Sequence, residues 1–306
     1  MDLLNRVICK VPGSTSNCGS GFDTLGLALA VHNYVTIERV GAELPVRDDL
    51  GADIYSESGM ARETVSLFFK ESKVEPFDVK VRIHGEVPQA RGLGSSVTVR
   101  GGILTGLSKL CQVGWDNELL VRLITRLESH PDNASASILG GFTVSRFEKS
   151  PAELTRTQKF PIASDLRFVV VSPEFEVLTS SSRNILPETI DFSKAVASIN
   201  SATCLVGALA SGEFGNLSGV VGDHIHEPYR LGGIPGASDA IEKGVAAGAY
   251  TGWLSGSGSS VLCVCDARKV KCVAESMQKA FAGVDLDSVA RDLSADNDGI
   301  QILSAE

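Results

Sequence analysis

Positive charge is scarce in this chain: 28 Lys and Arg stand against 37 Asp and Glu, a formal charge of −9 over 306 residues. A deficit of that size argues against a nucleic-acid binder and against adhesion to anionic membranes. An acidic protein that holds a polyanion must therefore concentrate its cations locally. The seven cysteines (9, 18, 111, 204, 263, 265 and 272) include no C-x-x-C pair and no zinc spacing, and an odd count suits no closed disulfide framework. They read as reduced, mostly structural thiols of a cytoplasmic protein. A signal-type apolar segment is missing from the start, which carries Asp2, Arg6 and Lys10. Residues 244–265 carry no charge, but glycine and serine crowd their middle, so a buried strand, a turn and a second strand fit better than a membrane span. Internal repeats and low-complexity tails are also absent. Apolar content of 43% and charged content of 21% are ordinary for a globular enzyme, and the length suffices for two lobes that each bury a core.

What is present is concentrated in one stretch, Pro88-Gln89-Ala90-Arg91-Gly92-Leu93-Gly94-Ser95-Ser96-Val97. Residues 77–84 before it alternate apolar and polar side chains, the pattern of a half-buried strand, and residues 95–110 after it read as a helix. The order is strand, glycine-rich loop, helix. Gly92 and Gly94 let the backbone turn sharply and approach a ligand, while Ser95 and Ser96 sit where a helix start leaves N–H groups unpaired. Those amides and the positive end of the helix dipole favour an anion, and the Ser96 hydroxyl can reach a phosphate or a magnesium ion. The stretch matches neither G-x-x-x-x-G-K-[ST] nor G-x-G-x-x-G, so it is neither a Walker loop nor a dinucleotide fingerprint. Without a loop lysine, another residue must offset the phosphate charge. Taken alone, Gly-Leu-Gly-Ser-Ser is equally well a capped turn.

P-x-A-R-G-L-G-S-S resembles the central motif of the GHMP kinases, a family of small-molecule ATP-dependent phosphotransferases. Val11-Pro12-Gly13-Ser14-Thr15-Ser16-Asn17 through Gly21-Phe22-Asp23-Thr24-Leu25-Gly26-Leu27 resembles that family's first motif, and Leu254-Ser255-Gly256-Ser257-Gly258-Ser259-Ser260 its third. With Glu128-Ser129-His130-Pro131-Asp132-Asn133 and Glu227-Pro228-Tyr229-Arg230, the chain is most similar to the branch that phosphorylates L-homoserine. The resemblance implies an α+β, two-lobed GHMP kinase fold: an S5-like N-terminal lobe over residues 1–158, which binds nucleotide, and a ferredoxin-like C-terminal lobe over 159–306. The polar residues 150–159 then mark the joint.

The resemblance also implies a site. ATP would lie on Pro88, Gln89, Ala90, Arg91, Gly92, Leu93, Gly94, Ser95, Ser96 and Val97, with Mg2+ on Ser96 and Glu128. L-Homoserine would be held by Asn17, Asp23, His130, Thr179, Arg183 and Arg230, Asp23 facing its ammonium and the arginines its carboxylate. Ser96, Glu128 and Asn133 are the catalytic candidates. Another small alcohol such as mevalonate or threonine, or nucleotide binding without catalysis, stands as the alternative. The family resemblance also makes a homodimer an expectation.

Each candidate has a plainer reading: an Asx turn for Asn17 and Asp23, a surface ion pair for either arginine, a helix-end carboxylate for Glu128, a structural role for His130. Residues 116–127 form a helix with Leu119, Leu120, Leu123, Ile124 and Leu127 on one face, which delivers Glu128 at its end. Asn133 is an amide where the mevalonate branch carries an aspartate, and the adjacent Asp132 should point away from it. No strong general base is expected, since phosphoryl transfer needs mainly positioning and charge stabilisation. In the helix expected over 59–69, Ala61-Arg62-Glu63-Thr64 replaces the asparagine that family members use near adenine. Further strands are expected over 6–11, 34–40, 166–171 and 261–265, and helices over 192–210, 237–247 and 269–281.

Overall fold

Two long buried strands, β1 (Arg6–Ser16) and β2 (Leu25–Arg39), carry the first motif. They are longer than the sequence suggests, because pairing continues from Arg6↔Glu38 to Ser16↔Gly26. A bulge between Pro12 and Gly13 accommodates the proline, which has no N–H for the ladder. The bulge turns the strand end toward the glycine-rich loop, where the Ser14 N–H donates to the Leu93 carbonyl at 3.1 Å. The computed structural model describes residues 4–42, 44, 48–55, 57–149, 152–177 and 179–306.

Next come β3 (Ala52–Asp53), α1 (Gly59–Ser72), β4 (Val79–Gly85) and α2 (Ser95–Leu110). Helix α1 starts at Ser58, whose hydroxyl accepts from the Ala61 N–H, and stops at Lys73 in the left-handed region. Then α3 (Asn117–Glu128), α4 (Asp132–Leu139), β5 (Phe142–Lys149) and β6 (Ala152–Phe160) complete the first half. The Asp116 side chain caps α3, and the leucine face buries Leu120, Leu123 and Ile124. Gly102 and Gly106 of α2 pack onto β2, where an added Cβ would strike Val35 and Ile37. Both glycines thus lie close against strand side chains. Of the polar residues 150–159 read as a joint between lobes, 150 and 151 lie outside the described residues and the rest lie in β6, which pairs with β5 from Lys149↔Ala152 to Phe142↔Phe160.

The second half contains β7 (Leu166–Pro173), α5 (Thr179–Asn184), α6 (Phe192–Ser211), α7 (Glu227–Arg230), α8 (Ala237–Ala246), β8 (Thr251–Leu254), β9 (Val261–Asp266), α9 (Val270–Ala282), β10 (Ser288–Leu293) and β11 (Gln301–Ala305). The uncharged residues 244–265 contain β8, a turn and β9, as expected. One antiparallel sheet has the order β10-β7-β9-β8; the other runs β11-β1-β2-β4-β3, with β5 also on β2 and β6 on β5. The last strand, β11, returns to pair with β1. Leu27 and Phe142 from one sheet meet Phe168, Trp253 and Leu262 from the other in a shared core. By length and composition α6 could cross a membrane, but it seats Leu205, Ala208 and Leu209 in that core. All seven cysteines are free. Burial pushes the Cys9 and Cys263 thiols up to about 12, which suits packing and not nucleophilic chemistry.

Candidate active site

The glycine-rich loop leads into α2 through Gly94, whose φ of 67° is left-handed and whose position as N-cap carries no side-chain hydrogen bond. Gly94, Ser95 and Ser96 line a cleft, so the open first turn of α2 faces it. The third motif holds the loop from below: Ser255 Oγ donates to the Gly92 carbonyl at 2.7 Å, and the Ser260 N–H to the Arg91 carbonyl at 3.3 Å. Pro88, Ala90, Arg91, Gly92 and Leu93 also line the cleft. Gln89 is exposed, while Val97 turns its side chain into the core and can offer only its backbone. Arg91, the cation nearest the glycines in sequence, donates to the Pro173 carbonyl and pairs with Glu176 at 3.3 Å.

Helix α3 ends where the sequence places Glu128. Its Oε2 accepts from Ser96 Oγ at 3.1 Å and its Oε1 from Arg100 Nε at 2.7 Å. A hydroxyl and a carboxylate side by side are hard oxygen donors of the kind that hold a magnesium ion. Arg100 was not among the candidates, although it lies one helical turn after Ser96 on the same face. It also donates to Glu63 Oε2 at 2.8 Å and Thr64 Oγ1 at 3.3 Å. The segment that departs from the family's asparagine is thereby tied to α2.

The same cleft collects Asn17, His130, Asp132, Asn133, Arg183 and Arg230. Asn17, at φ 65°, braces the first motif: its Oδ1 accepts the Asp23 N–H at 3.1 Å and its Nδ2 donates to the Gly256 carbonyl at 3.1 Å. Asp23 takes both arms of the Arg183 guanidinium, at 2.6 and 3.1 Å. Arg230 is buried and donates to the Ser182 and Gly256 carbonyls. Burial, then the Arg183 charge, lower its pKa to about 10. Phe22 lies between the arginines, its ring 5.3 Å from the Arg183 and 5.2 Å from the Arg230 guanidinium carbon. Thr179 opens α5; its side chain lies outside the described residues.

The Asp132 and Asn133 side chains take different partners, yet both line the cleft: Asp132 Oδ1 lies 2.6 Å from His130 Nδ1 and accepts the Asn133 backbone N–H at 2.8 Å. Pro131 makes the turn before α4 that brings residues 130 and 132 together. Burial alone would lower the His130 pKa, but the Asp132 charge and hydrogen bond raise it overall. Burial would raise Asp132, and His130 holds it below its ordinary value instead. Asn133 Nδ2 donates to Ser14 Oγ at 3.0 Å, supporting β1 beside the loop.

Behind the third motif, buried Glu227 accepts the Leu254 N–H at 2.7 Å. Burial pushes its pKa up from 4.5 to about 8. Folding therefore takes up a proton between those values, so this group's contribution to stability is greatest below pH 4.5 and declines up to pH 8. Glu227→Gln keeps the acceptor and removes the charge. Its melting temperature should fall less steeply than the wild type's between pH 5 and about 8; equal slopes would assign the dependence to another group.

Comparison with known proteins identifies the family and the fold. The families described as GHMP kinases N terminal domain and GHMP kinases C terminal match residues 59–141 and 205–283. The chain is 34% identical to a homoserine kinase of Carboxydothermus hydrogenoformans, with 92% of each chain covered, and 30% identical to one of Caldicellulosiruptor bescii, with 97% of each covered. Its fold is similar to that of a homoserine kinase from Cytophaga hutchinsonii, at a TM-score of 0.85 and 24% identity over 99% of both chains. A mevalonate diphosphate decarboxylase from Enterococcus faecalis shares the fold at a TM-score of 0.68 and 15% identity, over 98% of this chain and 99% of that one. Matches to both halves of the family, with relatives of this identity spanning nearly the whole length, establish that the chain belongs to the GHMP kinase family.

Proposed function

We propose that this protein transfers the γ-phosphoryl group of ATP to the side-chain hydroxyl of L-homoserine, giving ADP and O-phospho-L-homoserine on a route to threonine. One observation carries the reading: the cleft beside the glycine-rich loop is lined by the Asp132 carboxylate and by the Arg183 and Arg230 guanidiniums, and Arg183 holds the Asp23 carboxylate, so charges of both signs meet there, which is what a zwitterionic alcohol requires. The similarity to curated homoserine kinases supports it.

In this reading the open amides of α2 hold the triphosphate, Ser96 and Glu128 hold Mg2+, and Asp23, His130, Arg183 and Arg230 hold the amino acid. Mg2+ bound to the triphosphate offsets the charge that spreads over the phosphoryl oxygens. Asn133 is an amide engaged with Ser14, and His130 and Asp132 engage each other. Among the described residues that line the cleft the carboxylates are all paired, and the hydroxyl proton passes to the phosphoryl group itself. Chemistry then depends on alignment and charge.

ADP release coupled to a colour change, measured across homoserine, threonine, mevalonate and shikimate, tests this. Homoserine should exceed mevalonate and shikimate in kcat/KM by at least about a hundredfold, since a site built for an ammonium rejects ligands that lack one. Comparable turnover of mevalonate would overturn the assignment.

A further inference from the structure

A bidentate ion pair beside the cleft joins the two residues to which the proposed function gives opposite halves of the substrate. Arg183 Nη2 and Nη1 lie 2.6 and 3.1 Å from the two Asp23 oxygens, with side-chain exposures of only 28% and 14%. A bidentate pair this sheltered is worth more than a surface contact, and removing one partner strands the other's charge. Around it stand His130 and Asp132, whose ligand atoms lie with those of Asp23 within 4.8 Å of one another, and Arg230, which repels Arg183 across the Phe22 ring. The receptor for a zwitterion is thus closed upon itself.

We infer that Asp23 and Arg183 form an exchange latch: the substrate's ammonium replaces Arg183 on Asp23 while its carboxylate takes the released guanidinium, so the site admits only ligands carrying both charges. This rests on the proposed function and adds to it a basis for specificity. A zwitterion replaces each half of the broken pair. A ligand with a single charge leaves Asp23 or Arg183 without a partner, so it is rejected more strongly than the loss of one contact would require. The latch is a source of discrimination separate from the shape of the cleft.

The latch makes an unusual prediction, that removing one half improves the wrong substrate. Asp23→Asn suits the backbone, because Asp23 sits at φ 53° and asparagine tolerates that region. The probes are homoserine, its deamino analogue 4-hydroxybutanoate and its decarboxy analogue 3-aminopropan-1-ol. Asp23→Asn should raise KM for homoserine at least tenfold with little change in KM for ATP, yet raise kcat/KM for 4-hydroxybutanoate at least fivefold, since Arg183 is freed. Arg183→Met should mirror this, impairing homoserine and improving 3-aminopropan-1-ol, and it serves if Asp23→Asn folds poorly.

If homoserine is impaired but neither analogue improves, the latch is wrong while Asp23 and Arg183 keep their places in the site. If Asp23→Asn leaves KM for homoserine unchanged, the latch fails together with the assignment of Asp23. A wild-type enzyme inactive on homoserine would instead refute the proposed function, which separates the two failures.

Discussion

Replacing Glu128 by glutamine should lower kcat by about two to three orders of magnitude and move the magnesium dependence to higher concentration, with little effect on folding. Glutamine keeps the shape and one acceptor oxygen at the end of α3, so contact with Ser96 survives. What it loses is the negative charge shared by the Ser96 hydroxyl at 3.1 Å and the Arg100 guanidinium at 2.7 Å. Arg100 is not stranded by the change, since Glu63 still pairs with it at 2.8 Å. The damage therefore falls on the metal and the phosphates. Initial rates over a magnesium series, with melting temperature recorded alongside, separate this from unfolding. A variant with normal turnover at low magnesium would remove Glu128 from the site.

Local chemistry explains which parts of this site could be read in the sequence. Helix α2 begins and ends where the pattern puts it, because Gly94 leaves the helical region at one end and the apolar face ends at Leu110. The leucine stripe of α3 likewise predicts its buried face and delivers Glu128. The lengths of β1 and β2 were less legible. The inner end of β1 is Gly13-Ser14-Thr15-Ser16, small polar residues without an alternating apolar pattern, and its burial comes from residues far along the chain: Trp253 Nε1 donates to Thr15 Oγ1 at 3.2 Å, and Ser255 Oγ lies 2.9 Å from the same oxygen. The resemblance placed Asp23 and Arg183 in one site but could not show them paired, since 160 positions separate them. The pairing of Asp132 with His130 was not legible, because it depends on the turn at Pro131 that precedes the helix. Arg100 had the legible spacing from Ser96, yet its partners Glu63 and Glu128 come from α1 and α3.

Gly92→Ala should be the most damaging single change in the glycine-rich loop. Gly92 sits at φ 72°, where a side chain costs about 1–2 kcal/mol. A Cβ there would also collide with the Ser255 carbonyl and come within 3.0 Å of the Gly258 backbone, atoms of a motif that cannot rotate away as a flexible side chain could. Overpacking of this kind adds about 1–3 kcal/mol, for a total on the order of 3 kcal/mol. The loop would relieve the clash by lifting off the third motif, breaking the 2.7 Å bond from Ser255 Oγ to the Gly92 carbonyl. A displacement of about 1 Å misaligns the amides with the triphosphate and should reduce kcat/KM for ATP about a hundredfold or more. Gly207→Ala is the control: it lies within α6, an added Cβ meets nothing within 4 Å, and the change should be neutral or stabilising by up to about 1 kcal/mol. Denaturant midpoints and ATP kinetics on both variants decide the matter. If Gly92→Ala is destabilised but binds ATP as the wild type does, the loop serves the fold and the nucleotide lies elsewhere.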